Sequence, residues 1–252
     1  MLVIDRELIL PTDCLLVGAS AAGVTLPGGL LPDPVWRSPA EFRNHEDGLR
    51  RQLADVGVWR DGRPTEAFSR TVTVLGRAAV EVSAMVESAA VGPYYVHVAL
   101  NSRDAVLACR VPATDQVVLR PARPEGLAED LVAELPEGLP AVGPSLSVPE
   151  SDLRRAINGE PARRDVRRVL EVAGLPRVGG GQISAGVRDG LGRYRTTGDS
   201  CCTFYDTEQG RYVFSFTEQP GYERYVNVAP GHASTLIAKT YDLLEQLRLS
   251  MR

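Results

Sequence analysis

At Ala79 the hydrophobic pattern of this chain changes period, and that change constrains the fold more than any single motif. Before it, apolar residues recur at helical spacing. Ser38-Pro39-Ala40-Glu41 combines a Ser N-cap, Pro at the first helical position and Glu at the third, so a helix is expected to run to about Val56 and stop at Gly57. Phe42, Leu49, Leu53 and Val56 form its apolar stripe. A shorter helix is expected from Pro64 to about Val74, and Thr12 or Asp13 is placed to cap an apolar run within Leu8–Val17. After Ala79 the period becomes two. Val80, Val82 and Ala84, then Tyr94–Leu100, Ala105–Val111 and Gln116–Arg120, read as successive strands. Asn101-Ser102-Arg103-Asp104 and Pro112-Ala113-Thr114-Asp115 supply the turns. Connections this short demand antiparallel neighbours, because parallel ones need long crossovers. The fold class is therefore α+β with a central antiparallel sheet.

The pattern then recurs. A helix from about Pro124 to Leu135 is followed by the Pro- and Gly-rich stretch 136–149, which reads as a linker. Helices are expected at Ser151–Ile157 and Arg163–Ala173. Strands follow at Gln182–Arg188, Arg193–Thr197, Ser200–Asp206, Arg211–Thr217 and Arg224–Val228, and a final helix runs from Pro230 to about Leu247. Shifting the chain by 109 residues superposes Val117-Val118-Leu119-Arg120-Pro121 on Val226-Asn227-Val228-Ala229-Pro230. Leu127, Leu131 and Leu135 then fall on Leu236, Thr240 and Leu244. We expect one domain, 1–252, made of pseudo-repeat halves 1–135 and 150–252 in a pseudo-twofold arrangement. Chance similarity between two common strand-turn-strand-helix patterns is the competing explanation.

Charge and composition narrow the function classes. A formal net charge of -4 argues against a nucleic-acid module, whose affinity comes from neutralising phosphates. Asp5, Arg6, Glu7 and Asp13 interrupt the apolar N-terminus, so neither a signal peptide nor membrane insertion is expected, and the location is read as cytoplasmic. Cys14, Cys109, Cys201 and Cys202 lack metal-ligand spacing and are expected to be free thiols. Lys239 is the only Lys among 28 basic residues, which fits a GC-rich genome or, alternatively, a surface of planar guanidinium forks.

Catalytic signatures are weak. Gly18-Ala19-Ser20-Ala21-Ala22-Gly23 has its second Gly one residue late for a nucleophile elbow around Ser20. Gly179-Gly180-Gly181 is read as lying between a helix and a strand; it opens no helix and lacks the Gly-Lys-Ser/Thr of a phosphate cradle. His45, His97 and His232 show no ligand spacing. Asp189, Asp199 and Asp206 sit beside turns, where short carboxylates bond the backbone. No catalytic residue, cofactor or metal is assigned; a small-molecule hydrolase using a Cys or Ser nucleophile, such as Cys201 or Cys202 with His232, is the alternative function.

One strand stands out. Tyr212, Phe214 and Phe216 share one face of Arg211–Thr217, and Tyr222 and Tyr225-Val226-Asn227-Val228 follow. That face is either core beneath a helix or an aromatic docking surface. On the docking alternative, Tyr212, Phe214, Phe216, Tyr225 and Asn227 contact a partner. Arg188, Arg193, Arg195 and Arg211 would then lie on the strands that meet it.

Three runs carry a family resemblance: Gly181 through Arg193 (GQISAGVRDGLGR), Tyr205 through Tyr212 (YDTEQGRY), and Val226-Asn227-Val228-Ala229-Pro230 before an apolar C-terminal helix. Leu8-Ile9-Leu10-Pro11, Val56-Gly57-Val58 and the entry into strands from Arg77 to Val82 agree. Together they resemble the EspG family of ESX (type VII) secretion-associated proteins. The resemblance implies a cytosolic chaperone-like adaptor with a central sheet flanked by two helical subdomains. It also implies binding, through the sheet and the C-terminal helical part, to the helical tip of a PE/PPE heterodimer that is thereby kept soluble for export. The protein itself is expected to be a monomer or weak homodimer.

Overall fold

The computed structural model describes residues 3–198, 200–217 and 223–251; Asp199 and Tyr222 lie outside them. The N-terminal layer consists of β1 (Leu8–Pro11), α1 (Thr12–Ala22), α2 (Pro39–Asp55), the small hairpin β2 (Trp59–Arg60) and β3 (Arg63–Pro64), and α3 (Glu66–Gly76). A meander follows: β4 (Val80–Ser88), β5 (Gly92–Asn101), β6 (Asp104–Val111), β7 (Gln116–Pro121), then α4 (Leu127–Ala133). The remainder is β8 (Leu146–Pro149), α5 (Glu150–Ile157), α6 (Arg164–Ala173), β9 (Arg177–Arg188), β10 (Tyr194–Thr196), β11 (Cys202–Thr207), β12 (Gly210–Thr217), β13 (Tyr225–Pro230) and α7 (Ala233–Ser250).

The expected α+β architecture is present. One sheet runs β1-β7-β6-β5-β4-β9-β11-β12-β13-β8, with β10 pairing β9, and every ladder is antiparallel. Outward from the central β4·β9 ladder, one side reads β5-β6-β7-β1 and the other β11-β12-β13-β8.

Local sequence explains most boundaries. Ser38 and Glu41 form the reciprocal capping box that opens α2, and Thr65 accepts from the Phe68 amide at the start of α3. Three expectations are corrected. Pro11 occupies the cap position of α1 without a side-chain bond, and Thr12 is the first helical residue. Leu8–Pro11 is not part of a helical run but an edge strand on β7. Gly179–Gly181 lies inside β9, where a Cβ on Gly181 would stand 2.7 Å from the Phe204 ring.

The stretch 136–149 is also less free than a linker. Leu146–Pro149 forms β8 on the edge of β13, and Leu139 and Ala141 exchange backbone bonds with Arg211 at 2.7 and 2.9 Å.

The two faces of the sheet are covered differently. On the front, α1, α2 and α3 bury Leu15, Leu53 and Phe68 against Ala99, Val106, Ala108 and Leu119 at one flank. At the other flank Leu153, Val166 and Val169 of α5 and α6 pack on Val226 and Val228. On the back, α4 and α7 cross the centre, closing Leu131, Leu236 and Leu244 over Val82, Ala84, Ile183 and Phe204. The front of β4, β9 and β11 contributes no residue to either front cluster, so a central strip remains open between the two helical layers.

Candidate functional site

The open strip follows from strand alternation. Val82, Ala84 and Val86 of β4 point to the back core, which turns Glu81, Ser83, Met85 and Glu87 to the front. Their cross-strand partners are Gly186, Ser184, Gln182 and Gly180, and Gln182 and Gly180 in turn face Thr203 and Tyr205. Met85 is 68% exposed there. A shallow groove of about 590 Å³ runs along this end, lined by Met85, Arg177, Val178, Gln182, Thr203 and Tyr205. Gly179 and Gly180 supply its bare floor.

Aromatic and guanidinium groups stack beside the groove. The Arg177 guanidinium lies 3.6 Å over the Tyr205 ring, Tyr205 meets Phe214 edge-on at 5.2 Å, and Arg224 lies 3.8 Å over Phe216. The opposite end is polar. The Tyr194 hydroxyl donates to Glu81 across Gly186, where a Cβ would sit 2.7 Å from that hydroxyl. Glu81 Oε2 is 3.9 Å from His97 Nε2, and Tyr95 Oη is 3.3 Å from His97 Nδ1. Burial holds the fully enclosed His97 below its ordinary pKa, with the Glu81 carboxylate opposing. Burial pushes the Tyr95 phenol up to about 12. Burial and the neighbouring carboxylate raise that of Tyr194 as well.

The residues singled out in the sequence do not form one surface. Tyr212 is buried under α5 and α6, and Phe214 and Phe216 are half-buried against the same cluster. Phe216 pairs with Val226 while Thr217 pairs with Tyr225 and Ser215 with Asn227, which puts Tyr225 and Asn227 on the other face from the aromatics. Asn227 Nδ2 donates to Thr217 Oγ1 at 2.9 Å. Arg211 is buried on the back, 4.7 Å over Phe204 and paired with Asp206. Arg188 stands at the polar end, 4.8 Å over Tyr194. Arg193 holds Asp189 at 2.6 Å, and Arg195 pairs with Val187 and so faces the back. Met85, Arg177, Gln182 and Thr203 went unread. The alternation of Glu81-Ser83-Met85-Glu87 with Val82-Ala84-Val86 was the signal that could have found the first of them.

The groups considered for catalysis fall at these places in the fold. Ser20 lies inside α1, and Gly18 sits where a Cβ would be 2.5 Å from the Phe68 ring, which lets α1 pack on α3. Burial pushes the Cys14 and Cys202 thiols up to about 12, which leaves them protonated and poorly nucleophilic at neutral pH. His232 is the N-cap residue of α7, and His45 Nε2 lies 2.5 Å from Asp13. Asp189 accepts from the Leu191 and Arg193 amides, the turn role expected of it. Among the described residues no group of three His, Cys, Asp or Glu side chains could hold a metal ion, and no helix is long and apolar enough to cross a membrane.

A broad antiparallel sheet with helices on both front flanks and a shallow stacked groove between them defines a class of α+β protein with an open central sheet face. Within that class the chain belongs to the EspG family, whose model matches residues 14–239. A solved structure of the Mycobacterium tuberculosis type VII secretion system chaperone EspG5, in complex with the PE25–PPE41 dimer, is similar. The TM-score is 0.69 at 11% identity, over 95% of this chain and 96% of that one, and the likeness is one of fold. No curated protein matches the sequence.

Proposed function

We propose that this protein is a cytoplasmic chaperone of a type VII secretion system that receives the helical tip of a PE/PPE-like heterodimer on the open front strip. The observation that carries the proposal is the strip itself, left uncovered between the two front helical layers. Family membership supports it, as does the fold shared with EspG5, a chaperone solved together with a PE/PPE dimer. The mechanism is capping. Apolar side chains at the tip of a helical hairpin self-associate in water, and covering them removes that drive without chemistry.

A standard interface takes roughly 800 Å² from each partner, and the groove supplies its anchors. Met85 offers an adaptable apolar contact, the Arg177–Tyr205 stack a rigid one, and Glu81, Arg188 and Tyr194 a polar end that fixes register. Phe214 and Phe216 act by holding Tyr205 and Arg224 in place. Tyr225 and Asn227 contribute only if the cargo also reaches around the edge strand β8 to the back face. We further infer that halves 1–135 and 150–252 are two copies of one unit, which the order β5-β6-β7 on one side of β4·β9 and β11-β12-β13 on the other supports.

The test is co-expression with a PE/PPE pair that the parent chain captures. Met85→Glu with Tyr205→Ala should abolish co-purification while leaving the melting temperature within a few degrees of the parent. Undiminished capture by that double variant would remove the strip from the interface.

A further inference from the structure

Gly180 of β9 is the cross-strand partner of Glu87 on one side and of Tyr205 on the other, so the three residues form one row across the front of the sheet. Two strand spacings, about 10 Å, separate Glu87 from Tyr205. The Arg177 guanidinium rests on the Tyr205 ring, and both Arg177 and Glu87 are exposed. The row therefore presents a carboxylate, a residue without a side chain, and a stacked guanidinium.

Glu87 and Arg177 are the two charged residues in the groove lining, and neither has an ion-pair partner among the described residues. The neighbouring charges are already engaged. Asp206 is held by Arg211 on the back, Glu81 accepts from the Tyr194 hydroxyl, and Arg188 Nη1 donates to the Gly192 carbonyl at 3.2 Å. An arginine whose flat face lies on a phenol ring has given up much of its rotamer freedom before any partner arrives, and its N–H edge stays open to a planar acceptor.

We propose that one α-helix of the cargo tip lies over Gly180, with a carboxylate on the flank that meets Arg177 and a basic side chain on the flank that meets Glu87. The inference rests on the front strip being the docking surface and adds the chemistry that the cargo presents there. The width fits, because an α-helix with its side chains is about 10–12 Å across. The signs fit as well: a helix of one charge would be attracted at one wall and repelled at the other, and only opposite charges on its two flanks satisfy both. Met85, two residues before Glu87 on the same face of β4, supplies the apolar contact beside them. A fork of parallel N–H bonds to the carboxylate then fixes the rotation of the helix about its own axis, which an apolar contact alone leaves free.

Titration of a PE/PPE pair that the parent chain captures, at about 50 and about 500 mM NaCl, tests the proposal. Arg177→Gln should weaken binding about tenfold at the lower salt and flatten the salt dependence. Arg177→Glu combined with Glu87→Arg leaves the net charge unchanged, yet should weaken binding further because both walls then repel. Reversing one acidic residue of the cargo tip to Lys should restore affinity for Arg177→Glu while lowering it for the parent. All these substitutions are at exposed positions and should leave the melting temperature of the chain unchanged. Equal affinity and equal salt dependence in the parent and Arg177→Gln would overturn the proposal, as would the lack of any acidic tip residue whose reversal rescues Arg177→Glu. Met85→Glu with Tyr205→Ala, measured alongside, separates this inference from the reading beneath it. If that variant loses capture while Arg177→Gln binds as the parent does, the carboxylate pairing fails and the docking surface stands; if it captures undiminished, both fail.

Discussion

Arg211 Nε donates to Asp206 Oδ1 at 2.6 Å and Arg211 Nη2 donates to Asp206 Oδ2 at 2.9 Å, a two-point ion pair that closes the β11–β12 hairpin. The same guanidinium donates to the Pro136 carbonyl at 2.8 Å, so one side chain ties the hairpin to the segment leaving α4. Arg211 is 5% exposed. Arg211→Leu strands the Asp206 charge and should cost about 3 kcal/mol in urea unfolding, with Arg211→Lys intermediate because it keeps the charge but not the fork. A loss below about 1 kcal/mol would mean that water already screens the pair.

Tyr212 and Tyr205 are cross-strand partners with different fates. Tyr212→Ala opens a cavity under α5 and α6 and should cost about 3–5 kcal/mol. Half-buried Tyr205→Ala should cost about 1 kcal/mol and act chiefly on cargo capture. Equal destabilisation by the two would place Tyr205 in the core.

Gly186 leaves room for the Tyr194–Glu81 bond. Gly186→Ala sets a methyl 2.7 Å from the Tyr194 hydroxyl and 2.9 Å from Glu81 Cγ, and should destabilise by about 1–3 kcal/mol. The penalty should shrink in a Tyr194→Ala background. A double-mutant cycle with no coupling would show that the clash is relieved elsewhere.

His97 gives acid sensitivity. Its folded pKa is depressed by burial, so below the unfolded value of about 6.5 the unfolded chain binds a proton that the folded chain resists. The stability that neutral His97 provides is complete above that pH. It declines as pH falls toward the depressed folded value. Chemical unfolding between about pH 6.5 and pH 5 should show this slope in the parent and its loss in His97→Gln. An identical slope in both would assign it to other groups.

Cys14 and Cys202, with thiols pushed up to about 12, should resist alkylation in the native protein at pH 8. The thiolate fraction implies rates on the order of a thousandfold below those of a free cysteine, restored in denaturant. Rapid native labelling of Cys202, read by mass spectrometry, would reopen the nucleophile alternative.

How far the sequence could be read depended on the range of the interactions involved. The α2 start is legible because Ser38 and Glu41 satisfy each other within one helical turn. The β5–β7 meander is legible because its turns are local, with Ser102 at φ 58° and Asp115 at φ 50° accepting the left-handed backbone they require. By contrast, β1 and β8 are short, and each runs through a proline into a helix. Only pairing with β7 and β13, far away in the chain, makes them strands. The glycines of β9 read as a loop for the same reason. Their demand comes from Phe204, which no local rule brings beside them.

By itself the sequence determined most of the element types, the antiparallel sheet and the family resemblance, because periodicity, caps and turns act between near neighbours. Tertiary structure decided which surfaces are covered. Alternation places Tyr212, Phe214 and Phe216 on one face, but only the docking of α5 and α6 buries Tyr212 and half-covers Phe214 and Phe216. Only the separation between the front helical layers leaves Met85 and Tyr205 facing solvent. Burial belongs to the assembled layers, so a docking surface becomes identifiable only after every helix has taken its place.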